Sequence, residues 1–167
     1  MNIRLARTDM EITEFRLPRY HEIPNVGLYL EQTVKYINQC IEPLHVSITD
    51  SMLSNYVKHG LVDRPVKKQY SADQIAHLLF IAIVKQTLSM QNIEDLFQLQ
   101  EQTYSPDIAY DYFCTELENG IRHIFSGTQP PHPDDMPHAK KILYSVIAAI
   151  SHTIYLRYCF EQLKSTD

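Results

Sequence analysis

Four polar side chains recur at helical spacing in one short segment: Ser51, Ser54, Asn55 and Lys58. Thr49 precedes them as a capping hydroxyl, and Leu53, Tyr56 and Val57 fall on the opposite side of the 3.6-residue period. A helix over this stretch puts two hydroxyls, an amide and an ammonium on one outward face. These groups bond phosphates and base edges, and asparagine suits adenine. Gly60 follows as the left-handed closing residue. Arg64, Lys67 and Lys68 then place three cations within five positions, and Tyr70 ends the segment. A basic cluster of this kind releases counterions when it meets a phosphate backbone. The eight residues Ser51, Ser54, Asn55, Lys58, Arg64, Lys67, Lys68 and Tyr70 are therefore the candidate DNA contacts. The plainer reading of the same residues is a solvated helix face followed by a charged turn.

Other reactive residues point to less. His132, Asp134, Asp135 and His138 fall within seven positions. Two intervening prolines stiffen that loop, and the spacing matches no closed zinc pattern, so an acidic loop leading into a helix start is the simpler reading. Cys40, Cys114 and Cys159 are far apart, odd in number and set in apolar helical contexts, as buried thiols in a reducing compartment would be. His77, His123 and His152 lie on predicted helices with no order that supports a catalytic triad. The expectation is a protein without enzymatic activity, cofactor or metal.

Net charge is −5, which by itself disfavours nucleic acid. Its distribution is uneven. Residues 1–88 hold ten Lys/Arg against nine Asp/Glu, whereas residues 89–167 hold five against eleven. The basic turn lies in the near-neutral half, which suggests two jobs on one chain. Four glycines in 167 residues argue against a β-sandwich or a glycine-rich nucleotide site. The N-terminus lacks a basic-then-apolar signal pattern, and apolar runs such as Leu78–Val84 are too short to span a bilayer. A cytoplasmic location without membrane contact is expected.

The elements that must carry these residues are helical. Met1–Pro24 reads as an extended arm. Asn25 is placed to cap a helix ending before Pro43, with Leu30, Val34, Ile37 and Ile41 inward. Leu61–Tyr70 reads as a tight ribbon, Leu61-Val62 against Gln69-Tyr70. Ser71 and Gln74 form a capping box ahead of an apolar run that covers almost every side of a central helix. Ser89 starts another helix, and Ser105-Pro106 a further one closed by Gly127. Pro137 opens a last helix to about Leu163, whose apolar face is wider than one neighbour covers. Ile147 and Ile150 are expected in a dimer interface there. The tyrosines of the acidic half suggest an aromatic-lined effector pocket favouring a cationic or aromatic ligand.

Ile48-Thr49, Leu53, Tyr56 and Gly60-Leu61-Val62, then Tyr70-Ser71, Ile75, Leu78, Phe80-Ile81, Ser89-Met90 and Ile93, resemble the MerR-type winged helix-turn-helix. The likeness covers about fifty residues. It departs where the family's arginine falls on Ser54 and its first tyrosine on Asn55. The whole chain, including Arg16-Leu17-Pro18-Arg19 and Glu22-Ile23-Pro24, is also similar to an uncharacterised bacterial family built on this module. The resemblance implies an all-α fold with a minor two-stranded wing: an arm plus winged helix-turn-helix over 1–100 and an acidic helical unit over 101–167. It implies a DNA-binding transcription regulator acting as a homodimer on double-stranded DNA, with a small-molecule effector. The alternative is a protein-interaction module that kept the winged fold and lost DNA binding; more remote is a metal-dependent enzyme centred on His132–His138.

Overall fold

A computed structural model describes residues 11–131 and 134–165. Among the described residues the chain is mostly helical and contains no sheet. The arm is not wholly extended, since residues 11–13 are helical and Tyr20–Glu22 forms a 3-10 turn. The helix that follows it, α1 (Leu30–Ile41), buries Thr33, Val34, Ile37 and Ile41. Thr33 satisfies its buried hydroxyl by donating to the Tyr29 carbonyl at 2.9 Å. The helix starts four residues later than the Asn25 cap predicts, with Tyr29 in the cap position. Gly27 takes φ +81°, and Leu28 exchanges both backbone hydrogen bonds with Tyr70, at 3.1 and 2.8 Å. That pairing holds the segment extended before α1.

Pro43 ends α1 in a short 3-10 turn, Glu42–Leu44. The next helix, α2 (Asp50–Lys58), is capped as expected, with Thr49 Oγ1 accepting the Met52 N–H at 3.2 Å. Its inward residues Leu53 and Tyr56 are buried. Gly60, at φ +77°, turns the chain out of the helix. In α3 (Ala72–Val84) the capping box forms in both directions, Ser71 N–H to Gln74 at 2.8 Å and Gln74 N–H to Ser71 at 3.3 Å. Its apolar residues are buried on nearly all sides, which makes it the central helix. Then α4 (Met90–Glu101) starts at Ser89 and buries only Ile93.

Two long helices complete the fold, α5 (Pro106–Ser126) and α6 (His138–Lys164), and they pack along each other. Gly120 permits the close approach. A Cβ there would lie 2.7 Å from Ser151 Oγ and 3.0 Å from Ile147 Cγ2. Ile147 and Ile150 are buried inside the chain, so they are not the free interface residues the sequence suggested. The uncovered stripe of α6 lies nearer its end, where Leu156, Phe160 and Leu163 are 54%, 60% and 66% exposed. By length and composition α6 is long and apolar enough to cross a membrane, contrary to the expectation that every apolar stretch is too short. Here its Val146, Ile147, Ile150 and Ile154 are buried.

The described part of the arm is strapped across α5. Leu17 is fully buried, and its N–H donates to Glu118 at 2.9 Å. Arg19 grips the same carboxylate with both terminal nitrogens at 2.7 Å. Tyr110 donates to the Pro18 carbonyl at 2.7 Å, and Tyr20 N–H to Asp111 at 2.7 Å. Beside this strap Arg16 pairs with Glu22 through two bonds, which with the Arg19 N–H hold the Glu22 carboxyl down to about 2. One apolar cluster runs from Ile12 to Ile154, through the arm and every helix.

The expected two-stranded wing is reduced to a turn. Val66 and Gln69 exchange backbone bonds at 3.1 and 2.9 Å around Lys67-Lys68, but the next pair does not form. Leu61 and Val62 point into the core instead of facing Gln69 and Tyr70, and Tyr70 pairs with Leu28. Burying two apolar side chains outweighs a second ladder rung in so short a ribbon.

Candidate nucleic-acid interface

The outward face of α2 holds together. Ser51, Ser54, Asn55 and Lys58 are all exposed, and with Asp50 they line one shallow depression. Their side chains form no hydrogen bond or ion pair among the described residues. Asp50 brings a negative charge to the same place, at the helix N-terminus where an acid is favoured.

Backbone contacts outside α2 fix where this face points. Asn38 on α1 clamps Ile48, donating to its carbonyl at 2.9 Å and accepting its N–H at 2.8 Å. Lys85 donates to the Ser47 carbonyl at 2.5 Å, and burial lowers its ammonium pKa. Arg157 on α6 reaches the Leu44 and His45 carbonyls at 3.3 Å each. Three side chains, from α1, the end of α3 and α6, thus hold the connection between α1 and α2. Sequence reading missed all three, since the groups they hold in this connection are main-chain ones that no side-chain pattern reveals; Arg157 also donates to the Gln86 side chain.

Arg64, Lys67 and Lys68 are exposed and unpaired among the described residues, but none lines the depression on α2. Gln74 anchors the turn by donating to the Asp63 and Arg64 carbonyls at 2.9 and 3.1 Å. Lys67 and Lys68 both lie at positive φ, 49° and 64°. A two-residue hairpin turn of this hand ordinarily takes Asn-Gly, and a side chain with a Cβ costs roughly 1–2 kcal/mol at each such position. Tyr70, expected among the DNA contacts, is instead 5% exposed and packed in the core, and burial raises its phenol pKa, so it is not a surface contact.

The remaining candidates resolve simply. Among the described residues no three His, Cys, Asp or Glu converge as a metal site; His132 lies outside those residues. Cys114 is fully buried, which pushes its thiol up to about 12, and Cys40 is half-buried with its thiol raised for the same reason.

A second concave site lies away from α2. A cavity of about 230 Å3 sits between α3, α4 and α5, with the start of α6 at its edge. Phe80 sits between Phe97 and Phe113 in its wall, its ring centroid 5.4 Å from that of Phe97 in a tilted contact and 4.8 Å from that of Phe113 in an edge contact. His77 packs on Phe97 at 4.7 Å, and burial lowers its imidazole pKa. The tyrosine pattern of the acidic half pointed towards such a pocket, although its position depends on how the helices pack.

No curated protein and no solved structure is significantly similar to the chain. One family model matches residues 18–113, more than half of the chain, from the strap through the first turns of α5. The match takes in α2, the lysine turn and most of the cavity wall. By this match the chain belongs to the family described as a domain of unknown function, DUF1836.

Proposed function

We propose that this protein is a cytoplasmic DNA-binding transcription regulator of MerR-like type that acts as a homodimer. One observation carries the reading: an all-polar, unpartnered face on a short helix whose entry is pinned from three directions. The arrangement of α1, a connection and α2 fits a helix-turn-helix in which α2 is the reading element. Ser54 and Asn55 would meet base edges, while Ser51 and Lys58 bond phosphate. The lysine turn would take the place of a wing, its two strained, exposed residues offering cations to phosphate. Dimerisation through the Leu156, Phe160 and Leu163 stripe would supply the second half-site that so small a module needs.

The competing reading is an interaction module without DNA affinity. Asp50 beside the polar face and the net charge of −5 favour it. Binding to random-sequence duplex at several salt concentrations separates the two. A regulator binds with a negative log-affinity against log-salt slope, and the Arg64→Ala, Lys67→Ala, Lys68→Ala triple variant flattens that slope by about 2–3. An interaction module shows no salt-dependent binding at all.

A further inference from the structure

We infer that the cavity between α3, α4 and α5 binds a small aromatic monocarboxylate, with Lys140 as the partner of the carboxylate. Its wall is built from rings, those of Phe80, Phe97, Phe113, Tyr104 and Tyr112. Its volume of about 230 Å3 lies below the usual range of ligand pockets, which begins at about 300 Å3, so it has room for a single-ring molecule and not for a nucleotide. The charge at the wall is one-sided. Among the described residues no Asp or Glu lines the cavity, and Lys140 is its one full cation. The His77 imidazole also lines it, with burial favouring the neutral form.

Lys140 is held for this role. Its ammonium lies 5.0 Å from the centre of the Tyr112 ring and 5.7 Å from that of Tyr104. Those rings orient the cation without neutralising it, since a ring face carries no net charge. Lys140 pairs with no carboxylate among the described residues. A cation already occupies the two tyrosines, so a cationic ligand would meet repulsion at the place where the tyrosine content alone seemed to invite it. An aromatic ring in the cavity with a carboxylate at Lys140 satisfies both parts.

The test is calorimetry on the full chain without DNA, so its outcome does not depend on the DNA reading. Phenylacetate, phenylacetamide and phenethylamine share a ring and differ in the head group. The expected order places the acid at least about tenfold tighter than the amide, with the amine weakest. Lys140→Met reduces the acid to the level of the amide and leaves the amide unchanged. Ala109→Phe, which fills the cavity from α5, removes binding of both while the circular-dichroism spectrum stays as in the wild type. Equal affinity for acid and amide, tighter binding of the amine, or no heat from the acid at millimolar concentration would overturn the assignment.

Discussion

Removing Arg19 should cost this protein far more than a surface arginine would. Glu118 is 6% exposed and has three donors: Leu17 N–H and the two terminal nitrogens of Arg19. Arg19→Ala takes away two of the three and leaves a buried carboxylate with one backbone donor. Breaking a buried pair from one side costs about 3–5 kcal/mol, against about 0–1 for an exposed pair. For a chain of this size that corresponds to a melting-temperature drop of roughly 6–20 °C. Urea denaturation followed by circular dichroism measures it directly. Glu118→Leu alone leaves the guanidinium without its carboxylate, holding only the Leu17 carbonyl at 3.2 Å, and strands the Leu17 N–H. The double variant Arg19→Met, Glu118→Leu removes both charges and should lose less than either single change, about 1–3 kcal/mol for the stranded N–H. Single losses below about 1 kcal/mol, or strictly additive ones, would refute the view that this strap fastens the arm to α5.

Relieving the lysine turn with Lys67→Asn and Lys68→Gly should raise stability by about 1–2 kcal/mol and weaken DNA binding, read by urea denaturation and by fluorescence anisotropy. His77 has a lowered pKa in the fold, so its contribution is present above about pH 6.5 and lost as pH falls towards the lowered value. His77→Gln should therefore flatten the stability–pH curve below about pH 6.5, and an unchanged slope there means the imidazole is solvated. Leu156→Glu with Phe160→Glu should shift a dimer to a monomer in sedimentation without loss of helicity, because both residues are exposed within the chain. A wild-type monomer at micromolar concentration would remove α6 as the interface.

Much of the helical order was legible because its signals are local. Thr49, Ser71 and Ser89 cap where the sequence placed them, Pro106 begins α5 and Gly127 ends it. The outward face of α2 followed from the 3.6-residue period alone. What failed was non-local. Tyr70 looked like the end of a ribbon because its partner Leu28 lies 42 residues earlier, beyond any local pattern. Ile147 and Ile150 looked like surplus apolar surface because nothing in the sequence shows how closely Gly120 lets α6 approach α5. The grip of Arg19 on Glu118 joins residues 99 apart, and the cavity needs four helices to close it. Neither has a local signature.

The most direct test of the DNA reading changes only the outward face of α2. Asn55→Asp with Lys58→Glu alters two exposed, unpaired side chains, so the fold should be unaffected and the melting temperature should stay within about 1–2 °C. Fragments of genomic DNA selected by the wild-type protein provide the ligand, and anisotropy provides the affinity. If α2 reads DNA, the double variant loses at least about tenfold in affinity for the selected fragments. Selection of no fragment by the wild-type protein, or equal binding by the variant, would contradict it.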